Sequence, residues 1–185
     1  KEYVVMKGRI DKLGSDGVTQ LKDHVFIVAT KDNTVVTIDG ANTTLNAGET
    51  LNYELSGQFA HILSTENIYV WHITGYNCEM AASLLPPIND CTGSSQISFT
   101  RTYGSYSEEK FIANILVRKG GEQSFVLDGA NTNPINESLF TPLSTQWSFA
   151  QVEFSNAQLA IGAHTLSNTS QPFHFALINS TVFSW

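Results

Sequence analysis

Apolar and polar residues alternate with a period of two through most of this chain, and this alternation restricts the fold more than any other feature. In the segment 96–103, Ile97, Phe99 and Tyr103 fall on one side, and hydroxyl or amide side chains fill most of the other. The segment 110–118 likewise places four apolar residues at every second position on one side, namely Phe111, Ala113, Ile115 and Val117. Successive side chains of an extended strand point to opposite faces, so this spacing is typical of half-buried β-strands. Because no segment has the 3.6-residue spacing of an amphipathic helix, we expect an all-β chain.

The chain also resembles itself. The sequence VFIVATKDNTVVTIDGAN at 25–42 matches NILVRKGGEQSFVLDGAN at 114–131 without a gap, at a spacing of 89 residues. Further along, AHILSTENIYVWHIT at 60–74 is similar to AHTLSNTSQPFHFALIN at 163–179, at a spacing of about 103 residues. The wider spacing implies an insertion in the second copy. The alternative is two hairpins that share only the sequence DGAN.

This self-similarity predicts two related β units, 1–92 and 93–185, and places the insertion of the second unit within 132–162. Units of about 90 residues with short strands and frequent turns favour sandwiches, in which two sheets pack face to face. We therefore predict two similar β-sandwich repeats in tandem, with Greek-key or jelly-roll topology. Packing of both repeats as one fused unit is the alternative.

Charge and hydropathy exclude several classes of partner. The net charge is −7, and no run of Lys and Arg exceeds two residues, so we expect no nucleic-acid partner. No apolar run approaches the roughly 20 residues of a membrane helix, so we expect no membrane insertion by this segment. Charged residues make up only 15% of the chain, which is typical of an extracellular or cell-surface β protein. The chain begins at Lys1 rather than Met and ends within an apolar pattern, so we expect a mature segment or an excised fragment of a longer protein.

The sequence VWHITGYNCEMAASLLPPINDCTGSSQISFTR at 70–101 resembles a known family, the IgGFc-binding N-terminal domain. The resemblance consists of Thr-Gly-aromatic, Cys-Glu, Leu-Pro-Pro and Cys-Thr-Gly in this order, before a strand that ends in an aromatic residue and Arg. The segment 147–175 resembles a later part of the same family. The resemblance implies an extracellular or cell-surface β module that is usually part of a longer protein. It does not imply that this chain binds Fc, because it brings no residue-level Fc motif.

The two cysteines of the chain, Cys78 and Cys91, lie at the two ends of one stretch of 14 residues. A zinc site needs further ligands at short spacing, and a redox pair usually has the spacing C-x-x-C, so neither is favoured. A disulfide suits a secreted chain, and closing a loop of about 15 residues is worth on the order of 3 kcal/mol. We therefore predict a Cys78–Cys91 disulfide, with two free buried thiols as the alternative.

Two segments are candidate contact surfaces, a loop predicted at 78–93 and the insertion at 132–162, because loops on a rigid scaffold commonly carry binding residues. Prolines fix φ and would stiffen the first loop. The three tryptophans, Trp71, Trp147 and Trp185, are mostly core candidates, and an exposed Trp147 would be a candidate for stacking on a carbohydrate. The candidate binding residues are Glu79, Leu85, Pro86, Pro87, Asn89, Asp90 and Trp147.

We expect no catalytic or metal site. No G-x-S-x-G, H-E-x-x-H or nucleotide-binding loop occurs, and Glu79 alone is not the carboxylate pair of a glycosidase. His61 and His164 occupy matching places in the two similar segments, which favours structural roles. No cofactor is expected; structural calcium is the alternative, although no D-x-D-x-D run is present. Glycosylation stays open at four sequons, Asn42, Asn136, Asn168 and Asn179.

These features predict a non-enzymatic extracellular adhesion or ligand-binding module of a larger cell-surface protein. Such a module would bind a protein or a glycan through loops on a rigid β scaffold. The alternative function is a structural spacer or stalk domain of a multidomain surface protein.

Overall fold

The computed structural model describes residues 1–10, 21–76, 79–89, 91–102, 109–129 and 134–181. The described residues form 15 strands and one short 3-10 helix, Glu137–Leu139. The strands are β1 (Glu2–Met6), β2 (His24–Ala29), β3 (Thr34–Ile38), β4 (Ala41–Leu45), β5 (Thr50–Glu54), β6 (Phe59–Ser64), β7 (Ile68–Tyr76), β8 (Glu79–Leu85), β9 (Gln96–Arg101), β10 (Glu109–Arg118), β11 (Phe125–Leu127), β12 (Thr141–Pro142), β13 (Trp147–Glu153), β14 (Gly162–Asn168) and β15 (Phe173–Thr181). The prediction of an all-β chain is confirmed.

The chain divides into two compact units, Lys1–Cys91 and Thr92–Trp185. The first unit contains two antiparallel sheets with the strand orders β1-β6-β3-β4 and β5-β2-β7-β8. Its core combines side chains of both sheets, such as Val36 and Ile62 from one and Ile27 from the other. Two sheets that share one core in this way form a β-sandwich.

The second unit is also a sandwich. Its sheets have the strand orders β11-β14-β9 and β12-β13-β10-β15. Leu127 and Leu166 of the first sheet pack in one core with Phe111, Ile115 and Phe173 of the second.

Strand order is the same in the two units over six strands. In the second unit β9, β14 and β11 adjoin one another as β1, β6 and β3 do in the first. Similarly, β13, β10 and β15 adjoin as β5, β2 and β7 do. Among the described residues the units differ at three sheet edges: β4 lies beside β3 and β8 beside β7 in the first unit alone, and β12 lies beside β13 in the second unit alone. As a result, β15 is the last strand of its sheet among the described residues.

The Asp of each DGAN turn makes the same two hydrogen bonds within its own unit, an arrangement that we call the clamp. The clamps show which residues of the two units correspond. In the first unit, the Asp39 N–H donates to the His61 carbonyl over 3.0 Å, and the His61 N–H donates to Asp39 Oδ1 over 2.9 Å. Asp128 makes the same two bonds with Thr165, both 2.8 Å long. Thr165 is therefore the counterpart of His61, and the predicted match between His61 and His164 is wrong by one residue. A shift of one residue reverses the face of a strand, so His164 lies on the core side, with its ring 5.7 Å from that of Phe99.

The gapless match is also wrong by one residue along β10. It aligns Phe26 with Ile115, but Phe26 lies on the outer face of β2 while Ile115 is part of the core. Ile27, which pairs with Leu51 and Val70, is the residue that corresponds to Ile115. The hairpin after β10 contains one residue more than the hairpin after β2. Because of this extra residue, the gapless match aligns β3 with β11 correctly although it misaligns β2 with β10.

Candidate binding face

The outer face of the sheet β5-β2-β7-β8 in the first unit is apolar across three adjacent strands. Every second side chain of β2 and β7 points into the core, and Leu85 of β8 also packs against it. The side chains between them point outward. We call the following eight residues the apolar face: Phe26, Val28, Tyr69, Trp71, Ile73, Met80, Ala82 and Leu84.

The largest side chains of the apolar face lie side by side and are open to solvent. Trp71 is paired with Phe26 on one side and with Leu84 on the other. The exposed fraction is 58% for Tyr69, 44% for Trp71, 51% for Met80 and 52% for Leu84. Because large side chains present about 150–250 Å² each, these four alone expose roughly 300–500 Å². An apolar patch of about this size is commonly functional on a monomer.

Polar residues border the apolar face along β5. Asn52 is paired with Phe26, and its Oδ1 lies 3.0 Å from Nδ1 of His24. Glu54 forms an exposed ion pair with Lys22 over 2.6 Å. An apolar centre with a polar rim is the usual anatomy of a protein-binding surface.

A buried polar pair holds β7 from the core side. Asp23 is fully buried, and its Oδ2 lies 2.9 Å from Nε2 of His72 and 2.8 Å from the Gly8 amide nitrogen, both of which donate to it. Burial raises the pKa of Asp23, but the hydrogen bonds from His72 and Gly8 outweigh burial and hold that pKa below its ordinary value. A Cβ at Gly8 would collide with Oγ1 of Thr74, so the close approach requires glycine. This pair is structural, because His72 is only 4% exposed.

The prediction of a loop at 78–93 is wrong for its first half. Glu79–Leu85 form β8, which pairs with β7 along its whole length. The strand stops before Pro86, because a proline has no N–H to donate to a sheet ladder. Leu85, one of the predicted binding residues, therefore points towards the core, while its neighbour Leu84 belongs to the apolar face.

The prolines and Asn89 lie beyond the strand. Pro86 is exposed and Pro87 is half-buried. The Ile88 N–H donates to the Glu2 carbonyl over 2.8 Å and fixes this segment to β1. Asn89 is exposed, and its Oδ1 accepts a hydrogen bond from the Cys91 N–H over 2.7 Å. The predicted roles of Pro86, Pro87 and Asn89 in binding stay predictions, and the Glu79 side chain and Asp90 lie outside the described residues.

The Cys78–Cys91 disulfide also stays a prediction. Cys91 is exposed and carries a free thiol in the structure, and Cys78 lies outside the described residues. If the bond forms, thiol titration of the denatured chain finds no free thiol before reduction and two afterwards. Two titratable thiols without reduction would show that the bond is absent.

Trp147 is not the exposed residue that stacking on a carbohydrate requires, so it is withdrawn from the candidate binding residues. Trp147 lies on β13 and is only 2% exposed. The guanidinium of Arg118 lies over its ring at 4.9 Å, and the ring of His174 meets it edge-on at 6.0 Å. Because Arg118 and His174 cover the ring, Trp147 is not open to a ligand.

Sequence reasoning missed the apolar face because it assigned Trp71 to the core. The signal was present, since Tyr69, Trp71 and Ile73 alternate with Val70 and His72, so both faces of β7 carry large side chains. Such a strand is either buried on both faces or exposes an apolar face, and the sequence does not distinguish the two.

The family-like motif ends in Arg101, which has a structural role. Arg101 is 2% exposed, and its Nη1 donates to the carbonyls of Ser155 and Leu159 over 3.1 and 2.5 Å. Its Nη2 donates to Asn156 Oδ1 over 2.6 Å. These bonds hold the connection between β13 and β14, so the guanidinium is occupied within the second unit.

The other histidines make local contacts. His61 Nε2 lies 2.8 Å from Glu2 Oε1, and His164 Nδ1 lies 2.7 Å from Asp128 Oδ2. Within the described ranges, no cluster of three or more His, Cys, Asp or Glu side chains is placed to hold a metal ion.

The comparisons with known proteins identify a family. Among the described residues, no helix is long and apolar enough to cross a membrane. Searches of curated proteins and of solved structures each returned no significant match. The profile of the family described as IgGFc binding protein matches residues 1–178, which extend through both sandwiches. The chain therefore belongs to the IgGFc-binding protein family.

Proposed function

We propose that this chain is a non-enzymatic, extracellular binding module of a larger cell-surface protein, and that it binds a protein ligand through the apolar face. The observation that supports this proposal is the exposure of Trp71 and Tyr69 at the centre of an apolar sheet surface. Membership of a family named for binding supports the same class of function.

The composition of the apolar face matches the energetics of protein recognition. Trp, Tyr, Phe and Met are enriched in protein interfaces, and Trp and Tyr are frequent among the residues that dominate binding energy. Trp71 sits between Phe26 and Leu84, so a ligand that covers it also removes its neighbours from water. The sheet beneath is anchored by the Asp23–His72 pair, so the surface is formed before a ligand arrives.

The first ligand to test is the Fc fragment of immunoglobulin G, because the family description names it. If Fc binds, Trp71→Ala weakens the affinity by about 30-fold, since loss of a central hot-spot side chain typically costs 2 kcal/mol or more. Thr43→Ala on β4, an exposed strand position in the other sheet, leaves the affinity unchanged. Biolayer interferometry on immobilised Fc measures both variants.

Two outcomes would correct this part of the proposal. Fc binding that Trp71→Ala leaves unchanged would place the contact elsewhere on the chain. A lack of Fc binding by the folded wild-type chain would exclude Fc, and a spacer or stalk function would gain support if other extracellular ligands also failed to bind.

A further inference from the structure

The second unit has an open sheet edge where the first unit has an additional strand. In the first unit, β8 covers the outer side of β7. In the second unit, β15 takes the place of β7, and within the described ranges its outer side is paired only at Phe173. The N–H and C=O of Phe173 each form a 2.9 Å hydrogen bond with the backbone of Ser94.

The backbone groups beyond Phe173 point to the same open side. Successive residues of a strand direct their N–H and C=O groups to alternate sides, so those of Phe175, Leu177 and Asn179 face the same way as those of Phe173. No strand pairs with these three residues on that side in the described part of the chain. An edge of this kind can accept a further strand.

Side-chain exposure shows what the missing strand leaves uncovered. The registers make Val70 and His72 of the first unit the counterparts of Phe175 and Leu177. Val70 is fully buried and His72 is 4% exposed where β8 adjoins them, whereas Leu177 is 36% exposed. The inner face of β15 is thus open at the positions that β8 helps to cover in the first unit.

A groove lies beside this edge, between β9 and β15. Its volume is about 450 Å³, and Ile97, Phe99, Phe175 and Leu177 contribute its apolar lining. The Ser94–Phe173 pairing closes one end, and at the other end Nδ2 of Asn179 donates to Oγ1 of Thr102 over 2.7 Å.

Among the described residues, the lining of the groove carries no ionised side chain at neutral pH. The described lining contains no Asp, Glu, Lys or Arg, and burial lowers the pKa of His174, the one titratable residue in it. A charged side chain would lose its hydration there without a partner, so an uncharged occupant is favoured.

We propose that the open edge of β15 and this groove form an acceptor site for one extended, uncharged strand of a partner protein. The strand bonds to the backbone of Phe175 and Leu177 and places alternate apolar side chains in the groove. Addition of a strand to a sheet edge is a common mode of peptide recognition. The strand β8 shows the chemistry that fits, because its residues after Glu79, Met80–Leu85, carry no charged side chain.

The test uses a fluorescein-labelled peptide with blocked ends and the sequence of Glu79–Leu85. We expect saturable binding to the wild-type chain by fluorescence anisotropy. No saturable binding, up to the solubility limit of the peptide, would overturn the proposal.

Two N-methylated peptides test whether the backbone makes the contact. The carbonyls of Asn67 and Gly75 bond away from β8, so the even-numbered residues of β7, and hence their partners Ala81 and Ser83, carry the bonds between β7 and β8. Methylation of the Ala81 nitrogen should therefore weaken binding at least tenfold, while methylation of the Ala82 nitrogen changes it less than threefold. Equal effects would overturn the proposal, and this test needs no altered protein.

A pair of variants on β15 locates the site. Leu177→Lys places a charge in the groove and should weaken peptide binding at least tenfold. Ala176→Lys, on the opposite face of the same strand, should leave binding unchanged. Peptide binding that survives Leu177→Lys would overturn the proposal, as would self-association of the wild-type chain that Leu177→Lys abolishes, because a second copy would then occupy the edge.

This site is independent of the function proposed above. Trp71→Ala lies in the first unit and is expected to leave peptide affinity unchanged, while Leu177→Lys leaves ligand binding at the apolar face unchanged. Failure of one proposal is therefore distinguishable from failure of the other.

Discussion

Replacement of Asp23 by alanine is expected to lower the free energy of unfolding by about 3–5 kcal/mol, because two buried donors lose their hydrogen bonds to a carboxylate at once. Asp23 is fully buried and accepts hydrogen bonds from His72 and from the Gly8 amide. Its removal leaves both donors buried without the acceptor. The segment after β1 then loses one of its attachments to the sheet that carries the apolar face and keeps the bond from the Arg9 N–H to the Gly75 carbonyl.

Urea denaturation followed by circular dichroism measures this loss. Glu54→Gln is the matched control, since it removes a carboxylate from an exposed ion pair with Lys22 and should change the unfolding free energy little. An Asp23→Ala chain as stable as the Glu54→Gln chain would show that the buried pair is not an anchor.

The same pair predicts a dependence of stability on pH. The folded chain holds the pKa of Asp23 below its ordinary value. The pair therefore stabilises the fold fully when the pH is above the pKa that Asp23 has in the unfolded chain. That stabilisation is lost as the pH falls below about 4 and passes through the lowered pKa of the folded state. Asp23→Asn should therefore be less stable than wild type at neutral pH and approach it in acid. A constant difference between the two chains from pH 7 to pH 2 would contradict this account.

Replacement of Trp147 by alanine is expected to cost about 3–5 kcal/mol of unfolding free energy, the usual range for removing a buried Trp side chain. The ring is 2% exposed and lies against Arg118 and His174. Trp147→Phe should cost much less, because it keeps an aromatic ring and removes an indole N–H that has no hydrogen-bond partner among the described residues.

Thermal and urea unfolding of both variants test this second prediction. Trp147→Phe also tests the role assigned from the sequence, since a buried structural residue can be changed without loss of ligand affinity at the apolar face. Ligand binding that fails in a folded Trp147→Phe chain would restore Trp147 as a contact residue.

The fold class followed from the sequence because strand alternation is a local property. Alternation in β9 and β10 and the shared DGAN turns indicated strands and hairpins directly. The residue-by-residue correspondence of the two units did not follow from the sequence. Because β10 carries apolar residues on both faces, a sequence match displaced by one residue pairs apolar with apolar residues equally well. The Asp39 and Asp128 clamps identify Thr165 as the counterpart of His61, and the pairings of Ile38 with Ile62 and of Leu127 with Leu166 agree.

The sequence indicated part of the candidate site but predicted the wrong conformation for it. The segment around Glu79–Leu85 was identified as a contact region, but it was expected to be a loop. Met, Ala and Leu have little intrinsic preference for strands, so the local sequence of β8 does not predict a strand. Pairing with β7 overrides that weak preference and places Met80 and Leu84 beside Trp71.

The most direct test of the central claim is an array of extracellular proteins and glycans probed with the wild-type chain, a Tyr69→Ala/Trp71→Ala double variant and the Thr43→Ala control. Both replaced aromatic side chains are exposed, so the double variant is expected to fold, which circular dichroism verifies. We predict at least one protein ligand whose signal falls about tenfold or more in the double variant and is unchanged in the control. Ligands that bind all three chains equally, or no ligand for the folded wild type, would contradict the claim that the apolar face is the binding surface.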